Sequence, residues 1–276
     1  MENNGLAIVR LIILSIIAIV LIMILCVLLI RPENAHFSFN NSKSSVVYDE
    51  KIESDISLIT VDVKSSDVRF ELTDEENLNV KIYGKEVDQI SVDTVDKELR
   101  ILEKKESFCF GFCFNNGYSV IVSVPRNSQY NLDISTISGD INIDSVVTSN
   151  LKVNTVSGDI TAKDYSSGTF GSVSGDLKIG RIGVINAKTV SGEINIDEVF
   201  EKADLKTTSG DIEINALNIT KNSKINTISG DVDIHKNNSY IITDTVSGDT
   251  DILNNNRHAE VETNIKTTSG DIEVGE

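Results

Sequence analysis

Basic residues are scarce in this chain: 25 Lys+Arg stand against 42 Asp+Glu, a net charge of −17 at pH 7. Holding nucleic-acid phosphates takes clustered cations, so nucleic acid is not an expected partner. Histidine is scarcer still. His36, His235 and His258 are scattered, and their spacing yields no Ser/His/Asp or Cys/His arrangement. Among the few cysteines, Cys109 and Cys113 stand four apart with no histidine or further cysteine nearby, which makes a poor zinc site. Helical apolar spacing is missing after the N-terminus. These absences leave no catalytic residue, metal site or cofactor to name.

What the chain has is a repeat. A Ser-Gly-Asp tripeptide recurs through its second half, with glycines at Gly139, Gly158, Gly175, Gly192, Gly210, Gly230, Gly248 and Gly270, separated by 19, 17, 17, 18, 20, 18 and 22 residues. About eighteen residues bury too little apolar surface to offset their ordering entropy, so the copies must stack on one another. The residue after each glycine is acidic: Asp140, Asp159, Asp176, Glu193, Asp211, Asp231, Asp249 and Asp271. Two residues after the glycine stand Ile141, Ile160, Leu177, Ile194, Ile212, Val232, Thr250 and Ile272, and two further on the pattern continues, from Ile143 to Val274. This period-two alternation predicts a strand with one buried face. Three residues before the glycine every copy carries a hydroxyl: Thr136, Thr155, Ser172, Thr189, Thr207, Thr227, Thr245 and Thr267. Threonine suits a strand, and its hydroxyl is expected to bond to the rungs above and below.

Strand, sharp corner and second strand, every 17 to 22 residues, describe one turn of an all-β, right-handed parallel β-solenoid. The period is too short for a βαβ unit, and an antiparallel sandwich would not keep one corner chemically constant eight times. Glycine is expected to supply positive φ at the corner, with Ser and Asp bonding the turn's own amides. With rungs about 4.8 Å apart, eight copies span on the order of 38 Å.

Upstream, residues 6–30 are apolar except for Arg10 and Ser15, and residues 11–30 alone give about 30 Å of helix. This predicts an uncleaved single-pass membrane anchor over 1–31, since no small-x-small cleavage site follows and bulky Leu25 precedes Cys26. Arg10 and Arg31 flank the run and leave its orientation open. A polar stalk is expected over 32–50, an irregular β segment that starts and caps the solenoid over 51–130, and the regular solenoid over 131–276. Ser65-Ser66-Asp67 reads as a worn copy of the corner.

Two features carry candidate chemistry. The eight corner acids form a ladder able to hold cations, or each caps its own turn and stays solvated; calcium needs several oxygens converging on one point. Phe108-Cys109-Phe110-Gly111-Phe112-Cys113-Phe114 is either an exposed aromatic tip, closed by a Cys109–Cys113 disulfide, or a hairpin covering the core's end.

The Thr-x-Ser-Gly-Asp-Ile-x-Ile columns, the strand ending at Val124-Pro125 and the N-terminal apolar run together resemble the bacterial putative-adhesin family, a β-solenoid domain, over residues 51–276. Members with one N-terminal span look like membrane-anchored proteins found beside cell-envelope stress-response regulators of Gram-positive bacteria. The resemblance implies no catalytic residue. The expectation is a non-enzymatic surface module at the cell membrane, its C-terminal domain outside, meeting wall polymers, divalent cations or cationic peptides. A competing expectation is a cytoplasmic-face scaffold that self-associates end to end as bactofilins do, because Gly270-Asp271-Ile272-Glu273-Val274 ends the chain mid-repeat without an evident cap. A third, polysaccharide cleavage, would show as a basic groove across one face.

Overall fold

A computed structural model describes residues 45–53, 55–85, 89–104, 118–146 and 148–275. The expected anchor, the segment 108–114 and both of its cysteines lie outside the described residues. Among the described residues no helix is long and apolar enough to cross a membrane. Their regular structure is 21 strands. The expected stalk is shortened, because Ser45–Ile52 is itself a strand paired antiparallel with Leu78–Gly84.

Each repeat contributes a strand before its corner and one after it, and the two sets form parallel stacks that share one core. After the corner, Ile141, Ile160, Leu177, Ile194, Ile212, Val232 and Ile272 pair in register and are almost completely buried. Before the corner, Val153, Phe170, Ala187, Leu205, Ile225 and Ile265 do the same. Phe170 fits its row because Ala187 beside it is small and Gly168 leaves room against its ring. Burying each such isoleucine or leucine contributes about 1.5–3 kcal/mol, and the alternation of the sequence decides which side chains collect it.

The corner glycines are needed for a reason other than φ. None of them has its φ in the left-handed region. A Cβ added at any of them would instead lie 1.9–2.2 Å from a carbonyl oxygen of the adjacent corner. Glycine is therefore dictated by the close approach of stacked backbones.

Chain order and rung order differ at both ends. Ser66 occupies the glycine position of a rung made by Leu58–Asp62 and Asp67–Thr73. That rung lies between Tyr130–Ser135 with Ile141–Ile143 on one side and Glu98–Glu103 with Ser119–Pro125 on the other. The worn corner is thus the second rung, and the antiparallel strands Ser45–Ile52, Leu78–Gly84 and Ile90–Val95 lie beyond the first. Ile90–Val95 turns into Glu98–Glu103 through Asp96 and Lys97, both at positive φ as a two-residue hairpin demands.

At the other end the last repeat is inserted. Glu262–Lys266 and Ile272–Val274 pair on one side with the Gly230 rung and on the other with the Gly248 rung, Tyr240–Asp244 and Thr250–Ile252. The chain's last repeat is an interior rung, so its mid-repeat ending exposes no corresponding open edge. The sequence supplies the reason. The Gly248 copy has Thr250 where the others have Ile, Leu or Val, and this more polar copy takes the outermost place, with Val246 82% exposed. Asn255 closes part of that edge: its Oδ1 accepts from the Ile241 N–H at 2.9 Å and its Nδ2 donates to the Ile241 carbonyl at 3.1 Å.

Gly192→Ala should lower stability by about 2–3 kcal/mol in urea unfolding, because neighbours on both sides block relief of the clash. Gly248→Ala should cost clearly less, since the outermost rung is free to shift; equal losses would contradict the steric account.

Candidate functional site

The corner column is the most regular surface of the domain. At its buried wall, the hydroxyls of Thr136, Thr155, Ser172, Thr207 and Thr227 accept the N–H of the glycine three residues on, at 2.8–3.1 Å. Three hydroxyls of the column bond across rungs: Thr189 Oγ1 to Thr207 Oγ1 at 2.9 Å, Thr136 Oγ1 to the Lys64 carbonyl at 3.3 Å and Thr267 Oγ1 to the Gly230 carbonyl at 3.5 Å. The expectation that these hydroxyls link rungs is therefore met at Thr136, Thr189 and Thr267, while the bonds of Thr155, Ser172 and Thr227 brace their own corner.

The acids do the linking. The backbone N–H of Asp140 donates to Oδ1 of Asp67 at 3.0 Å, and each next rung repeats the step: Asp159 to Asp140, Asp176 to Asp159, and Glu193 to Asp176. The series resumes from Asp231 to Asp211 and runs on from Asp271 to Asp231 and Asp249 to Asp271, at 2.8 Å. Among the described residues it is broken at Glu193, whose longer side chain does not accept from Asp211. Self-capping of each turn is thus replaced by capping of the neighbour's. Adjacent carboxylates about 4.8 Å apart repel by roughly 0.9 kcal/mol in bulk water, less with salt. A hydrogen bond to a charged acceptor contributes about 1.5–3 kcal/mol, so attachment outweighs repulsion.

Glu103 ends the ladder and went unnoticed in the sequence because it lies outside any repeat. Its Oε2 accepts from the N–H of Lys64 at 2.7 Å and of Ser65 at 3.4 Å, and from Ser66 Oγ at 3.2 Å. It caps the corner column where no further Ser-Gly-Asp rung is present to do so.

Parallel to the acids runs an apolar ridge. The residue two before each glycine points outward, and Ile137, Val156, Val173, Val190 and Ile228 are all about half exposed; Thr208 and Thr268 interrupt the row. Ridge and carboxylates lie on the same corner, three residues apart in every copy.

On the face after the corner lies a groove of about 620 Å³. Thr161, Lys178, Asn195 and Glu213 form one in-register row of it, and Gly180, which leaves the space open, lies in the next with Lys163 and Asp197. Lys163 and Lys178 face Asp164, Glu193, Asp197 and Glu213, so the groove is not the basic channel that cleavage of an acidic polysaccharide would use. Lys163 is also tied to Asp144 at 2.8 Å and holds that carboxyl below the usual carboxylate range. Among the described residues no group of three or more His, Cys, Asp or Glu is arranged to hold a metal ion. The ladder presents one carboxylate per rung in a line rather than several oxygens around a point.

The structure places the His235 ring 3.1 Å from Glu213 Oε1, and that hydrogen bond, with Asp233 nearby, raises the histidine pKa. A raised folded-state value means that the pair stabilises the fold at pH below the unfolded histidine value and is lost as pH rises through the folded value.

These features define a repeat domain of parallel β rungs with a chemically constant corner. Residues 56–276 match the Toastrack DUF4097 family, and the chain belongs to it. A search of curated proteins finds no match. Solved structures similar to the chain include a putative adhesin of Bacteroides fragilis, at 14% identity over 84% of this chain and 97% of that one, TM-score 0.47. A putative lipid binding protein of Parabacteroides distasonis matches at 19% identity over 82% and 96%, TM-score 0.48. A putative cell adhesion protein of Clostridium sporogenes matches at 12% over 84% and 99%, TM-score 0.27.

Asp176→Ala should cost about 1–2 kcal/mol of stability by removing the acceptor for Glu193 N–H. Asp176→Asn, which keeps an acceptor oxygen and removes a charge, should recover most of that loss at low salt. In an NMR titration His235 should titrate above the ordinary histidine value, and Glu213→Gln should bring it down.

Proposed function

We propose that the chain is a non-enzymatic, membrane-anchored binding module of the bacterial cell envelope whose corner captures cationic, amphipathic peptides or amine-bearing wall polymers. The observation that carries this reading is the pairing of two straight rows on one corner: carboxylates held in line by backbone N–H groups, and the half-exposed ridge from Ile137 to Ile228. A partner with alternating apolar and cationic groups meets apolar side chains on one row and charge on the other, both repeating at the rung spacing of about 4.8 Å. Charge speeds the encounter and apolar contact slows release. Divalent cations fit this corner less well, since no converging oxygen set is present among the described residues.

The N-terminal apolar run over residues 11–30 supports a single-pass anchor; the outer side of the membrane and a role in envelope stress enter this reading from the family resemblance. Right-handed winding of the rungs belongs to the same reading. A second reading, end-to-end self-association, has one observation in its favour: the outermost rung has Val246 and Leu253 exposed and its strands paired on one side only.

In cells carrying the chain with Cys26, Cys109 and Cys113 replaced by serine and Asn254→Cys added in an exposed loop, an impermeant thiol reagent should label intact cells. Labelling only after lysis overturns the surface reading. The full chain in nonionic detergent should bind a cationic amphipathic peptide, and V156K/V173K and D159N/D176N should each weaken it at least fivefold. Unchanged affinity in both variants overturns the corner as the site; filaments of the wild-type chain that V246K/L253K abolishes would favour the scaffold.

A further inference from the structure

On the rungs from Gly192 to Gly270 the face before the corner carries more lysines than acids, against the acidic balance of the chain. Three of its acids, Asp133, Asp204 and Asp244, are each paired with a lysine of the same face, Lys152, Lys202 and Lys266, at 2.8–3.2 Å. Three more lysines on that face, Lys188, Lys206 and Lys224, are exposed, and among the described residues their ammonium groups have no ion-pair or hydrogen-bond partner. In a chain with 42 acids this is unexpected. Lys188 and Lys206 are direct register partners, so two like charges sit one rung apart without a carboxylate between them. Lys206 pairs with Asn226, two residues from Lys224, and Asn226 pairs with Lys266. Lys188, Lys206 and Lys266 therefore stand in one column along the rung axis, interrupted by Asn226, and Lys224 stands in the adjacent column between Asp204 and Asn264. Asp204, in register with Lys224, is held by Lys202, and Glu262 stands at the far end of its strand, four residues before Lys266.

We infer that this lysine row is a binding site for a linear phosphate-linked polyanion lying along the axis. A narrow strip of lysines, one column with Lys224 beside it, runs along the axis on rungs about 4.8 Å apart and follows a line of charge, whereas a lipid surface would be met by a broad patch. Lysine binds phosphate as a point charge, and the amides of Asn186, Asn226 and Asn264 on the same face supply donors for its further oxygens. A nucleic acid would need aromatic platforms for its bases. Phe200, the exposed aromatic of these rungs, lies over Gly183 at the opposite edge of the face. The acids of the ladder follow the corner glycines and the lysines precede them, so the two sets share no residue. The site is thus independent of the corner proposed above, and failure of one leaves the other standing.

The test uses the full chain in nonionic detergent and labelled inorganic polyphosphate. Wild type should bind with affinity that falls steeply with salt. K188N/K206N/K224N should weaken binding at least tenfold and flatten the slope of log affinity against log salt by about two, as expected for the loss of three phosphate contacts. K51N/K81N/K97N, the same charge change away from the row, should stay within twofold. No binding by wild type at low salt, or equal losses in the two triple variants, overturns the proposal. So does binding of alginate, a polyuronate, or of phosphatidylglycerol-doped micelles when polyphosphate is left unbound, which would reassign the row to carboxylate polymers or to the membrane.

Discussion

The backbones of neighbouring corners approach so closely that a single Cβ at the glycine position would overlap the carbonyl oxygen of the adjacent rung. Everything else in the domain depends on that contact. It fixes the axial register of one rung on the next, and once register is fixed every column of the repeat becomes a straight row. The isoleucines then meet isoleucines in the core, the hydroxyls brace the glycine amides, and each carboxylate falls within reach of the next acid's N–H. Such a structure tolerates change in its outward columns and almost none at the corner, where no side chain can be added without moving two backbones.

Stacked rungs leave two ends, and the domain handles them by chain order. The last repeat is held between two others, and the first Ser-Ser-Asp rung likewise has a neighbour on each side. The chain's final residues are therefore anchored by pairing on both edges, and fraying must first displace the Gly248 rung. The exposed places go to segments suited to them: antiparallel strands bearing Asp49, Glu50 and Lys51 at one end, and the polar Thr250 copy with its Asn255 cap at the other.

Charge is sorted by the same geometry. A net of −17 suggests a uniformly acidic surface, yet a ladder of acids lines the corner, while the face before it pairs Asp133, Asp204 and Asp244 with lysines and keeps Lys188, Lys206 and Lys224 over. Because strand alternation sends every second residue outward, an outward charge joins one face or the other according to whether it stands before or after the corner.

Much of this was legible in the sequence. The period, the constant corner and the alternating isoleucines determined an all-β stack of parallel rungs, because only stacking buries so short a repeat, and the worn Ser65-Ser66-Asp67 corner was recognisable from its pattern. The β-branched column from Ile137 to Val246 was equally visible, but sequence could not tell an exposed ridge from a buried row, since β-branched residues suit either. Tertiary structure alone decided the order of the rungs, which placed Gly270 inside Gly248. It also decided that glycine answers to a neighbour's carbonyl rather than to positive φ, and that each aspartate caps the next turn instead of its own. These are relations between residues 17 to 73 positions apart, set by how closely one backbone lies on another, and a pattern read along a single strand does not contain that distance.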